Sequence, residues 1–386
     1  MAAERNLASV LSTSRSVSIL YFPTDFDGSG HYRCLAPGRQ LNIQYGWEVA
    51  LPPFVSSERE DGWLEVNYQF SMDPPRPDAD IFVLQRRLER QTNTEGVDAL
   101  HKYGKQVVVE MDDGYLHLPA YNPASSGSDP KTNPEANRDW FHEGMRRADA
   151  VSAATPALAE HYAHFNSNIT VIRNYLDWPM WENVEQQSEV DRGGKVRVGW
   201  QGVLYWREGD LKLLAGLLGP WLEKNPHVEF VAAGDSTIHD MLGVPKGQRV
   251  SIPSDSFRSG MVPDITANMD IGLIPLAPNK FNEEKSWLKG LEYAACGIPC
   301  VASPTESYRS WVDEGVNGFL AKRGHDWVKK LDLLVNDDEL RRKMGRAARD
   351  KVSRFTIQGH AHEWRDFFNG VLGPPVTEGV MVEDAA

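Results

Sequence analysis

Cysteine is scarce in this chain: three in 386 residues, Cys34, Cys296 and Cys300. An odd number set among apolar neighbours excludes a disulfide framework and leads to the expectation of a reducing, cytoplasmic setting. Cys296 and Cys300 flank a Gly-Ile-Pro turn with no second Cys or His pair close by, so they read as core residues and not as half a zinc site. No apolar run approaches the roughly 18 residues of a membrane span. The N-terminus also lacks a charged-then-apolar export pattern. Basic charge is in short supply, with 41 Lys and Arg against 54 Asp and Glu and a net charge of −13. Long-range repulsion then disfavours a broad nucleic-acid or anionic-membrane surface, although a local basic groove stays open.

The rest of the composition is that of a folded chain, 41% hydrophobic and 25% charged. Single cores seldom exceed about 250–300 residues, so two lobes are expected. SVSILYFP (16–23) reads as a buried strand, followed by the turn DFDGSG and a helix-like run. Further strands are expected in 47–53, 79–86, 105–113, 148–156 and 169–176, alternating with helical patterns, which makes a parallel α/β sheet. The Pro, Ser and Asn-rich segment 121–134 reads as a surface loop past a strand end, where α/β proteins keep ligands. Segments 54–78 and 114–134 carry no readable pattern.

The polar stretch 182–194 has linker composition. Beyond it the alternation restarts with VRVGWQG (196–202) and continues through 228–235, 249–255, 271–278, 299–303 and GFLA to terminal helices. The expectation is an α/β fold of two Rossmann-like, doubly wound lobes, 1–181 and 195–356. Helix 357–372 would return to the first lobe, with a tail over 373–386. The basic run RRKMGRAARDKVSR (341–354) reads as a solvated helix face.

The most informative stretch is MDIGLIPLAPNKFNEEKSWLKGLEYAACGIPCVAS (269–303). A buried strand, a polar loop and a helix whose first turn holds Lys285, Ser286 and Trp287 would make an anion site from free N–H groups, helix dipole and lysine charge. Glu284 and Glu292, eight residues apart on that helix, either face one cleft or are plain exposed helix residues.

This segment resembles the donor-site signature of the retaining glycosyltransferases of family 4 and their relatives. The variant here, Phe281, Asn282, Lys285, Ser286, Lys289 and Glu292, is similar to a subgroup found in bacterial and bacteriophage genomes. The resemblance extends from about residue 16 to about 370 and implies the two-lobed GT-B architecture. It implies a nucleoside-diphosphate sugar as donor substrate and needs no metal and no cofactor. Glu292 would bind the ribose, backbone at Ser286, Trp287 and Leu288 the phosphates, and Glu284 the donor sugar, with Lys285 and Lys289 nearby. Gly28, Ser29 and Gly30 resemble the glycine-rich turn of the acceptor lobe, or serve a plain tight turn. Asp112 and Asp113 at a strand end either orient acceptor hydroxyls or cap the next segment. Gln201 and Gly202 resemble the first donor-lobe loop, which departs from the family pattern because no arginine follows Gly199. Arg207 is the nearest basic residue: either it and Lys285 together replace the family's basic pair, or donor binding is weaker than the family norm. The acceptor (a glycan, a protein or a modified DNA base) is not indicated. Two rival readings share the fold: a nucleotide-sugar epimerase and a non-catalytic nucleotide-sugar-binding protein.

Overall fold

The structure, a computed structural model, describes residues 17–52, 54–58, 64–68, 79–253 and 259–374. The first lobe is a six-stranded sheet of β1 (Ser18–Phe22), β2 (Glu48–Ala50), β5 (Ile81–Gln85), β6 (Gln106–Met111), β7 (Ala150–Ala153) and β8 (Ile169–Val171), in the order β2-β1-β5-β6-β7-β8. A separate antiparallel pair, β3 (Phe54–Glu58) and β4 (Leu64–Tyr68), is inserted between β2 and β5. Much of 54–78 otherwise lies outside the described residues, as do the first 16 residues and the tail from 375.

The second lobe holds β9 (Val196–Gln201), β10 (Val228–Gly234), β11 (Arg249–Pro253), β12 (Ile271–Ile274), β13 (Cys300–Ala302) and β14 (Gly318–Leu320), ordered β11-β10-β9-β12-β13-β14. Every neighbouring pair in both six-stranded sheets is parallel. Sheets covered by helices on both faces need strands that are apolar throughout, and β10, VEFVAAG, is buried at all positions but one. In each lobe the strand order reverses beside the first strand, between β1 and β5 and between β9 and β12. The crevice at the carboxyl ends of such a reversal is where an open α/β sheet accepts a ligand.

Gly272 in β12 sets the depth of the second lobe's key helix, Leu288–Ala295. A Cβ there would lie 2.4 Å from the Tyr293 ring, so only glycine lets that tyrosine rest on the sheet. The three cysteines are buried and free.

The terminal helix Ile357–Leu372 lies on the first lobe. Phe368 meets Tyr21 edge-on at 6.3 Å, and Gln358 donates to Asp177 Oδ1 at 2.9 Å. The chain therefore passes between lobes twice, and the passages are joined: Leu176 N–H donates to Phe355 O at 3.0 Å and Ile357 N–H to Leu176 O at 2.8 Å. The basic run on helix Asp338–Val352 is not a merely solvated face. Arg342 donates to the carbonyls of Ser188 and Val190, and Arg349 to those of Trp181, Glu182 and Ala295, so these side chains fasten the connecting segment to the second lobe.

Candidate active site

Past β12 the chain is held at each step. Ala277 N–H and the Asn282 amide both donate to Asp210 Oδ1, at 2.9 and 2.6 Å. Asn279 caps a short helix, Lys280–Glu283, by accepting from Asn282 N–H. That cap shifts the geometry away from the sequence expectation. The long helix starts at Leu288, and Lys285, Ser286 and Trp287 occupy the break before it. Asn174 of the first lobe holds the break open: its amide donates to Ser286 Oγ at 2.7 Å, and its carbonyl accepts from Trp287 Nε1 at 2.8 Å. Glu284 ends the short helix and Glu292 sits on the long one, so the two do not share one helix face. Neither is an exposed helix residue, with 5% and 8% of their surface accessible.

Lys285 reaches across the cleft. Its Nζ donates to Asp113 Oδ1 at 2.5 Å and lies 4.1 Å over the Phe281 ring. Burial, then the positive charge of Arg207, pushes the Lys285 ammonium down to about 8 despite Asp113. Burial pushes the Asp113 carboxyl up, but Lys285, Arg207 and Arg86 outweigh it and hold it below its usual value. Arg207, on helix Leu204–Leu211, stacks 5.7 Å over Phe281 and stands 3.6 Å from Asp210. It thus reaches the neighbourhood of Lys285.

Deeper in, Glu292 Oε2 accepts from Gln201 Nε2 at 3.1 Å, and Tyr32 of the first lobe donates to Oε1 at 3.5 Å. Burial raises the Glu292 carboxyl above its usual value, opposed by Lys289. Lys289 Nζ donates to Gln201 O at 2.7 Å, and Gln201 Oε1 accepts from Thr266 at 2.7 Å. Gly202 N–H is taken by Ala233 O, inside the sheet.

On the first-lobe wall, Asp112 pairs with Arg86 at 3.0 Å, so neither predicted aspartate is a simple cap. Arg86 itself follows β5 at φ 54, a conformation uncommon without glycine and one that concentrates at functional sites. Gly28, Ser29 and Gly30 wrap Asp25: the Gly30 N–H and Ser29 Oγ both donate to its carboxylate, at 3.0 and 3.1 Å. The Gly30 amide is therefore engaged by the protein's own turn. Glu284 enters the first lobe beneath Gly114, where a Cβ would lie 1.7 Å from Oε2. There it meets His117 and His161, and Thr155 donates to its carbonyl at 2.9 Å. Tyr121, opening the segment read as a surface loop, donates to Asp210 at 3.0 Å and so also bridges the lobes.

The sequence reading missed Asp25, Tyr32, Arg86, His117, His161, Asn174 and Asp210. Asp25 had a signal, an acid shortly before a Gly-Ser-Gly turn. His161 had none, since its helix, PALAEHY, looks ordinary.

No helix among the described residues is long and apolar enough to cross a membrane. Among curated proteins, the chain is 41% identical over 81 residues to D-inositol 3-phosphate glycosyltransferase of Corynebacterium jeikeium (strain K411), covering 20% of this chain and 19% of that one. It is 34% identical over 115 residues to the protein of the same name from Corynebacterium kroppenstedtii, covering 28% and 24%. The chain thus aligns with only about a fifth to a quarter of these relatives' length. Among solved structures it is similar to sucrose-phosphate synthase from Thermosynechococcus elongatus (TM-score 0.65, 13% identity, 93% of this chain and 99% of that one). It is also similar to Anabaena HepE in complex with UDP (TM-score 0.60, 15% identity, 92% and 100%). Residues 288–351, starting at the helix that carries Lys289 and Glu292, match the family model for glycosyl transferases group 1, and the chain as a whole has the two-lobed α/β fold of its GT-B glycosyltransferase neighbours.

Proposed function

We propose that the protein transfers a sugar from a nucleoside-diphosphate donor to an acceptor, with retention of anomeric configuration and without a metal. The observation that carries this reading is the gathering of Lys285, Lys289, Gln201 and Glu292 at the carboxyl ends of β9 and β12, with Lys289 and Glu292 inside the group 1 family match. The UDP complex of a fold neighbour supports a nucleotide donor of the same kind.

Glu292, held by Gln201, would accept hydrogen bonds from the ribose hydroxyls. The main barrier is charge separation as the diphosphate leaves. Lys285, Arg207 and the amides at Ser286, Trp287 and Leu288 would stabilise that charge, a contribution of about 3–4 kcal/mol for one well-placed donor in a closed site. Lys285 is tied to Asp113 while the lobes are shut, so donor entry requires them to part and the diphosphate to replace the aspartate. Asp113, once released, would orient the acceptor. In a front-face pathway the departing phosphate takes the acceptor's proton, so no separate base is needed. The inositol-phosphate acceptor named for the curated relatives is one candidate, alongside glycans, proteins and modified DNA bases.

Calorimetry with UDP and GDP tests the donor site. Wild-type protein should bind one of them, and Glu292→Ala should bind it at least tenfold more weakly with its melting curve intact. Equal affinity in both proteins would remove the donor site from this segment. Incubation with UDP-sugars should then yield slow hydrolysis and no isomerised donor, which separates transfer from epimerisation.

A further inference from the structure

The Glu284 carboxylate crosses the cleft into a niche of the first lobe, where two imidazoles converge on it. His117 Nδ1 is 2.8 Å and His161 Nδ1 2.7 Å from the same oxygen, Oε1. The two rings lie nearly face to face, with centroids 4.0 Å apart and planes at 32°. One ligand-capable atom from each of the three residues falls within 4.8 Å of the others.

A hydrogen bond between His117 Nδ1 and Glu284 Oε1 accounts for one arm of this cluster and leaves the rest unexplained. Both ring nitrogens of His161, and Oε2 of Glu284, are buried without a hydrogen-bond partner. The side chains concerned are only 5% and 6% exposed. His161 Nδ1 is close to the carboxylate oxygen but lacks the alignment a hydrogen bond requires. A buried imidazole with both nitrogens unpartnered, beside a carboxylate oxygen that is also unpartnered, leaves ligand capacity that an ion between the three residues would satisfy.

We propose that His117, His161 and Glu284 form a binding site for a transition-metal dication of the zinc class, which pins the two lobes together. Two imidazoles and a carboxylate suit zinc, whereas magnesium and calcium prefer all-oxygen shells. Ligand atoms about 2.0–2.2 Å from a tetrahedral zinc lie roughly 3.3–3.5 Å apart, so the two short gaps need to widen by roughly 0.5–0.8 Å. His117 is 29% exposed, which leaves a solvent-side position for a water as fourth ligand. The niche is also braced. Thr155 donates to the Glu284 carbonyl, and its hydroxyl caps the helix Pro156–Tyr162 that carries His161. His161 in turn stacks on Tyr162 at 4.4 Å and 9°.

An ion on Glu284 occupies the carboxylate that the transfer reading assigns to the donor sugar, so it inhibits turnover and holds the lobes shut. The site itself does not rest on that reading, and its test uses no donor. Chelator-stripped full-length protein is titrated with cobalt(II) and followed by visible absorption. One ion per chain should bind with the strong bands of a four- or five-coordinate centre, and zinc should displace it. His117→Ala and His161→Ala should each weaken binding by more than about 100-fold, beyond what loss of a supporting residue does. His325→Ala, at a surface position, should leave it unchanged. Zinc should also raise the melting temperature of wild-type protein and not of His161→Ala, whose metal-free melting curve reports an intact fold. Absence of saturable cobalt binding, or binding that survives both histidine substitutions, overturns the site.

Discussion

The two walls of the cleft are built differently. The second-lobe wall is almost one continuous stretch, from the β12 loop through Glu292, completed by Gln201 at the end of β9. The first-lobe wall is assembled from Tyr32, Asp113, His117, Thr155, His161 and Asn174, which reach the cleft from separate turns and helices. A wall made from one segment is fixed by local capping and by the sheet beneath it. A wall made from scattered residues depends on the whole lobe being folded, and its buried charges hold that lobe in register.

The sharpest test of this contrast is Glu110→Ala. Glu110 and Arg33 are 2% and 1% exposed and joined by two hydrogen bonds at 2.6 and 3.0 Å, and Arg33 also donates to Ile172 O and Asn174 Oδ1. Leaving Arg33 buried and uncompensated should cost about 3–5 kcal/mol in chemical denaturation. A loss of the same size from Glu292→Ala would erase the distinction between the walls.

Next in size, Lys285→Ala should lower kcat by about 100- to 1,000-fold with little change in melting temperature, as loss of one donor to a developing oxyanion does. Retained turnover would move the charge stabilisation elsewhere, to Arg207 first.

The pH profile follows from the same lysine. Charged Lys285 is the active form, so kcat/KM should be flat below about 8 and fall by up to tenfold per pH unit above it. Stability moves the other way. The native lysine gives up its proton near 8 and the unfolded one near the ordinary lysine value, so the unfolded state binds more protons between them. This group's contribution to stability therefore rises with pH across that window. A profile flat to pH 10 would mean that the lysine is not titrating in the free enzyme.

The smallest effect should be that of Tyr32→Phe, which removes one long hydrogen bond to Glu292 and should raise the donor KM about threefold with kcat unchanged. An effect on kcat instead would place Tyr32 at the reacting end of the site.

Both sheets were legible because runs such as VEFVAAG and KQVVVEM are apolar on both faces and alternate with helical patterns. The donor segment was legible for the same local reason, with strand, loop and helix adjacent in sequence. Its helix start was misplaced because Asn279 and Asn174, one in the loop and one in the other lobe, decide where the turn begins. The glycines 28 and 30 were recognised, but not the Asp25 they enclose. His117 and His161 are 44 positions apart and meet only through tertiary folding, which no periodicity records. The basic run was misread for a related reason: the partners by which Arg342 and Arg349 fasten the connecting segment are backbone carbonyls, which carry no signature in side-chain sequence.

The paired crossing at Leu176 and Phe355 to Ile357 governs how the molecule breathes. A lone tether leaves two bodies free to twist, slide or splay. Two strands laced side by side suppress those freedoms and keep a single swing about their common axis, as two knuckles on one pin confine a door. If the halves part to admit a donor, as the proposed transfer requires, that single swing would bring Lys285 back to the same aspartate and Glu284 to the same niche.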